Sequence, residues 1–183
     1  MEILIADDEP IIRMGLKAML QEMGHQVTAA SNGREVLRLA RRQHFDLAIL
    51  DIKMPYTDGL EAARTLSRTS PLPVVLLTAF SERDLIETAS DLPIHGYLVK
   101  PVQPGQLSAS IAVAHKRFWE DAQRRKRAEE IEEQLAQRKL IDRAKGKLMA
   151  GGLSEDAAYQ AIQRQARKAR RAMHEVAQEI LDA

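Results

Sequence analysis

The stretch Asp46–Gly59 limits the fold of this chain more than any other. Leu47 to Leu50 form an unbroken apolar run, the pattern of a short strand buried on both faces of a parallel sheet. The run ends on a carboxylate, Asp51, and a turn sequence follows with Pro55 and then Asp58-Gly59. Open α/β sheets place their ligands at the carboxyl ends of such strands. Asp51 therefore stands where chemistry is expected.

The same alternation runs through residues 2–115. Ile3 to Ala6 reads as a first strand, running into Asp7, Asp8 and Glu9. Pro10 opens a helix that carries Ile11, Ile12, Met14, Leu16, Met19 and Leu20 and stops at Gly24. Val27 to Ala30 is a second strand, followed by a helix bearing Val36, Leu37 and Leu39. After the Asp51 strand come a helix over Leu60–Leu66, a strand over Pro73–Thr78 and a helix over Glu82–Ala89. A fifth strand, Tyr97–Val99, ends in Lys100-Pro101. Repeated βαβ units imply a doubly wound parallel sheet covered by helices on both faces. Strands one, three, four and five then deliver Asp7-Asp8, Asp51, Thr78 and Lys100 to one crevice. Three adjacent carboxylates repel unless a cation joins them. A hard oxygen-binding ion resolves this, and so few carboxylates favour Mg²⁺ over Ca²⁺. No His or Cys accompanies the cluster, which argues against zinc.

These residues resemble the receiver domain of two-component response regulators. The resemblance rests on Asp7-Asp8, on Asp51 with Met54-Pro55 and Asp58-Gly59, on Thr78-Ala79, and on Tyr97 with Lys100-Pro101. It implies a flavodoxin-like sheet of order 2-1-3-4-5 over residues 1–120, with Asp51 as phosphoacceptor for a sensor histidine kinase. Asp8, Asp51 and the Lys53 carbonyl are implied to hold Mg²⁺, with Asp7 acting through water. Thr78 and Lys100 are implied phosphoryl contacts, Tyr97 a ring that moves with Thr78, and Lys100-Pro101 a cis bond. Lys53 and Phe80 occupy positions that tune phosphate lifetime in this family.

Composition bounds the rest. The chain holds no cysteine, which excludes disulfides and thiolate metal sites. No apolar run approaches the ~20 residues of a membrane span, and a cytoplasmic location without membrane contact is expected. Residues 1–115 carry 11 Lys/Arg against 14 Asp/Glu, whereas residues 138–171 carry 10 against 3. Such a basic segment fits a polyanionic partner.

Neither Gly nor Pro occurs between Gly105 and Gly146, so a helical rod of ~60 Å is expected at ~1.5 Å per residue. Its start, with Leu107, Ile111, Ala114 and Phe118, is expected to pack on the sheet. A heptad through Ile111, Ala114, Phe118, Ala128 and Leu135 places Asp121, Arg125 and Glu132 at core positions too. That is a marginal seam, suited to a homodimer formed on phosphorylation, with residues 121–129 as helical linker. From Glu130 the tail reads as three helical pieces broken at Gly151-Gly152 and after Arg171, with Ser154 as an N-cap.

Residues 130–183 resemble the ANTAR domain of transcription antitermination regulators. The matching residues are Leu140-Ile141, Arg143-Ala144-Lys145-Gly146, Leu148-Met149, Ser154, Ala158-Tyr159, Ala166 and Val176-Ala177. Arg167 stands where the family usually has Met. The resemblance implies RNA hairpins as partner, with the surface of Arg143, Ala144, Lys145, Gly146 and Lys147 against the RNA. Tyr159 is read as a core residue ahead of a base-stacking one. The combined expectation is a non-enzymatic, phosphorylation-controlled antiterminator. One rival reading is a receiver that controls a protein partner without touching nucleic acid; the other, a DNA-binding helix-turn-helix regulator, ranks last because the tail offers no clear recognition helix behind a tight turn.

Overall fold

The structure, a computed structural model, describes residues 1–79 and 94–182. Phe80 and the helix expected over Glu82–Ala89 lie outside the described residues. Strands β1 (Glu2–Ala6), β2 (Gln26–Ala30), β3 (Leu47–Asp51), β4 (Val74–Thr78) and β5 (Gly96–Val99) pair in parallel, in the order β2-β1-β3-β4-β5. Among the described residues, helices α1 (Pro10–Glu22), α2 (Gly33–Ala40) and α3 (Gly59–Thr69) form crossovers. This is the flavodoxin-like sheet that the resemblance implied. Three further helices follow: α4 (Pro104–Ala150), α5 (Glu155–Ala169) and α6 (Met173–Asp182).

Strand pleating explains why both faces are apolar. Leu4, Ala48, Leu50, Val74 and Leu76 point into one core with Val36, Ala62 and Leu66 of α2 and α3. The alternate residues Ile3, Ile5, Leu47, Ile49, Val75, Leu77 and Leu98 point into the other. There they meet Leu16 and Leu20 of α1 and Leu107, Ile111 and Ala114 of α4. The expected docking of the α4 start on the sheet is therefore present. Phe118 lies edge-on to His95 at 5.3 Å. His95 is buried, and its Nδ1 accepts a hydrogen bond from the Val74 amide across 3.1 Å, which fixes the approach to β5.

Two compact units divide the chain, Met1–Ala122 and Gln123–Ala183. The second has a core of Ala144, Ile162, Ala166, Val176 and Ala177, edged by Leu140, Ile141, Leu148, Met173, Ile180 and Leu181. Ser154 caps α5 as expected, its hydroxyl accepting from the Ala157 amide. Arg167 is exposed, so this departure from the family pattern leaves the docking of α6 intact through Val176 and Ala177.

Asp58-Gly59 is a helix start rather than a free turn. The Asp58 carboxylate accepts from the Glu61 amide at 2.7 Å, and the Gly59 amide donates to the Ile52 carbonyl at 3.0 Å. A β-carbon on Gly59 would lie 2.1 Å from the Asp51 carbonyl oxygen. Backbone meets backbone here, so no side-chain movement relieves the clash. Gly59→Ala is expected to cost about 1–3 kcal/mol of stability, read as a lower urea midpoint at unchanged slope.

Candidate functional site

The alternation that fills the second core also builds the acidic crevice. Two residues beyond Ile5, Ile49 and Leu98 stand Asp7, Asp51 and Lys100, so all three side chains continue one face of the sheet. Ligand oxygens of Asp7, Asp8 and Asp51 lie within 4.8 Å of one another, with Asp7 and Asp51 buried and Asp8 exposed. Lys100 Nζ is 2.8 Å from Asp7 Oδ2 and 3.2 Å from Asp51 Oδ1, and 3.9 Å from Glu9 Oε1. The contact to Asp7 Oδ2 is ionic rather than a well-directed hydrogen bond. Burial opposes the Lys100 charge, but Asp7 and Asp51 outweigh it and hold the ammonium above its ordinary pKa. The Lys100–Pro101 bond is cis, as the resemblance implied.

Thr78 is buried at the end of β4, and its Oγ1 donates to the Ala79 carbonyl at 2.9 Å. Tyr97 stands partly exposed on β5, and burial raises its phenol pKa. Lys53 lines a cleft with Asp8, Met54, Pro55 and Asp58, its side chain in solvent. Sequence reasoning missed two supports. The Glu9 amide donates to Asp7 Oδ1 at 2.8 Å, and Arg13 Nη1 donates to the Asp7 carbonyl at 2.6 Å. A cation in the first turn of a helix opposes the macrodipole, and that misfit was the available signal for Arg13.

In the second unit the Arg143–Lys147 set divides. Ala144 is fully buried in the helical core, so the reading that places its side chain on a binding surface is corrected. Lys145 keeps a side chain only 18 % exposed, with Nζ 2.8 Å from Glu155 Oε1 and 3.5 Å from Asp142 Oδ1. Lys147 Nζ donates to the Leu181 carbonyl at 3.3 Å. Arg143 is exposed and makes neither ion pair nor hydrogen bond among the described residues. Gly146 is exposed, and a β-carbon there would meet nothing within 4 Å. Tyr159, read as core, is 43 % exposed, because Ala158, Ile162 and Ala166 already fill the inward face of α5.

Residues 3–112 match the response regulator receiver domain and residues 129–181 match the ANTAR domain. The chain belongs to the response regulators. It is 41 % identical over 182 residues to the transcriptional regulatory protein PdtaR of Mycobacterium tuberculosis, covering 98 % of this chain and 89 % of that protein. The transcriptional regulatory protein AfsQ1 of Streptomyces coelicolor is 36 % identical over 115 residues, or 63 % of this chain and 51 % of that one. Among solved structures, a response regulator receiver domain protein from Clostridium thermocellum superposes with TM-score 0.59 at 32 % identity, over 63 % of this chain and 94 % of that chain. The receiver domain of a sensor histidine kinase from Pseudomonas aeruginosa superposes with TM-score 0.57 at 28 % identity, over 63 % of this chain and 97 % of its own. Its active-site cleft coordinates a magnesium ion. Among the described residues, no helix of this response regulator is long and apolar enough to cross a membrane.

Asp51 is pushed up to about 6 from an ordinary value of 3.8, first by burial and then by Asp7 and Asp8, against the pull of Lys100. The folded state thus holds this proton more tightly than the unfolded chain. The stability it confers is complete at low pH and is lost as pH rises through about 6. In chelator-containing buffer, Asp51→Asn is expected to gain roughly 1–3 kcal/mol over wild type between about pH 4 and pH 7, measured by urea unfolding at each pH.

Proposed function

We propose that this response regulator is a phosphorylation-controlled transcription antiterminator. Residues 1–120 act as the receiver, 121–129 as a helical linker and 130–183 as an RNA-binding domain. The receiver half is supported by the crevice of three carboxylates and one ammonium. Its oxygen donors fit a hard divalent ion: Asp8, Asp51 and the Lys53 carbonyl would hold Mg²⁺, with Asp7 through water. Bound there, Mg²⁺ neutralises charge on a transferring phosphoryl group.

An Asp51 carboxylate oxygen attacks phosphorus of the kinase phosphohistidine. The P–N bond breaks, the imidazole leaves, and an aspartyl phosphate remains. Lys100, already seated between Asp7 and Asp51, contacts the new phosphoryl oxygens, and Thr78 turns its hydroxyl from Ala79 towards them. Tyr97 follows into the space that Thr78 leaves.

Phosphorylation then strengthens a homodimer along α4. Ile131 and Leu135 are 57 % and 52 % exposed there, an apolar seam with Ala128. In a register shifted from the one through Ile111 and Phe118, Ala128 and Leu135 take a and Ile131 takes d; Arg125 and Glu132 then move from core to e positions, and a parallel pair sets Glu120 against Arg125 and Arg127 against Glu132. Acetyl phosphate with Mg²⁺ is expected to add one phosphoryl group to wild type and none to Asp51→Asn, by intact mass. Sedimentation is expected to shift from monomer to dimer for the labelled protein alone. Equal labelling of both proteins would remove Asp51 from the role.

The RNA half rests on Gly146. A mid-helix glycine costs about 1 kcal/mol against alanine, and among the described residues nothing lies within 4 Å of the space its missing side chain leaves. A ligand backbone approaching α4 needs that space. Arg143, a free cation three residues earlier, reaches phosphate beside it, while Lys145 ties α4 to the start of α5. Arg143→Ala is expected to weaken hairpin RNA at every sequence and to flatten the salt slope by about 0.7 for single-stranded or 0.9 for duplex contacts. Lys145→Ala is expected chiefly to lower the melting temperature. Unchanged hairpin binding and salt dependence in both variants would favour a protein partner for the tail.

A further inference from the structure

Between α4 and α5 lies a groove that the phosphate contacts above leave unused. Gln137, Arg138, Ile141, Asp142 and Lys145 line it from α4 and Tyr159 from α5, around a cavity of about 400 Å³. Tyr159 sits one step round α5 from buried Ala158, off the core face, with its ring half in solvent. Its hydroxyl makes no hydrogen bond among the described residues. Packing does not explain so large a side chain there, and serine or glutamine would serve as well on a solvated face.

The polar groups decide what fits. A phosphate site is built from cations and amides. Here Asp142 lies within the groove, 4.0 Å from the Arg138 guanidinium and 3.5 Å from the Lys145 ammonium. A carboxylate repels phosphate but accepts from the amino and imino groups of a nucleobase. Arg138 and Gln137 donate to its ring nitrogens and carbonyls, while Lys145 stays with Glu155. Tyr159 offers a face for stacking and Ile141 an apolar floor. Gly146 lies one turn beyond Asp142 on α4, with open space where a β-carbon would stand.

We propose that this groove receives one unstacked base of an RNA loop, stacked on Tyr159, with its polar edge met by Asp142 and Arg138. The inference rests on the reading that the tail binds RNA and adds the site that selects among loops. RNA readers commonly take up splayed bases in this way. Phosphate contact by Arg143 supplies sequence-independent affinity, and the groove supplies discrimination.

The test uses the full chain and a hairpin selected by it from a library of stem-loops with randomised loops. Abasic sites are then placed at each loop position in turn. One position is expected to lose affinity roughly ten-fold when abasic. Tyr159→Ala is expected to lose about the same factor on the intact hairpin and nothing further on that abasic one. Tyr159→Phe keeps the stacking face and is expected to bind near wild type, and Tyr159→Leu keeps the apolar volume and is expected to fail. The salt slope stays that of wild type in all three, and unchanged melting temperatures exclude misfolding. Wild-type affinity in Tyr159→Ala, or an equal loss on every abasic hairpin, would overturn the groove while leaving RNA binding standing. A library from which wild type selects no hairpin would overturn the RNA reading, and the groove with it.

Discussion

Lys100 stands between two buried carboxylates, 2.8 Å from Asp7 and 3.2 Å from Asp51, and the chemistry of the receiver depends on that placement. Without the ammonium, Asp7 and Asp51 would be like charges in a desolvated pocket, each expensive to ionise. With it, one cation serves two anions, and Asp51 still sits at about 6, so the pocket remains short of positive charge. A pocket in that condition is electrostatically suited to a further cation. Arg13 and the Glu9 amide hold Asp7 in place, so the long Lys100 side chain meets a fixed target.

The sheet makes this arrangement inexpensive. Its two cores are filled by alternate residues of the same strands, so each strand end continues in register into the crevice. Gly59 then brings the start of α3 against the backbone of Asp51 itself. A shift in α3 is felt at Asp51 with no side chain between them to absorb it.

The helical tail is organised differently. Its core is built of small residues, Ala144, Ala158, Ala166 and Ala177, with Ile162 and Val176 as the larger members. Small residues let helices approach closely and leave the long side chains on the outside. Cations and the single aromatic ring of α5 are thereby presented rather than buried. Lys145 is the exception, drawn in by Glu155 and Asp142 and held above its ordinary pKa by the hydrogen bond to Glu155.

The sequence by itself determined the sheet, the helix that follows it and the residues of the crevice. Those depend on local signals: short apolar runs, a polar residue closing each strand, and glycine or proline at the breaks. Asp7, Asp8, Asp51 and Lys100 were legible as neighbours because strand ends in a parallel sheet converge whatever the loops do. Tertiary structure alone decided the roles within the tail. Helical spacing placed Arg143, Lys145 and Lys147 around α4, but it carried no information on where α5 and α6 would pack. Packing put Ala144 inside, tied Lys145 to Glu155, left Arg143 free and turned Tyr159 outward. Small residues make that difference hard to read, because an alanine satisfies a helix equally well on either face and only its neighbours decide which it occupies.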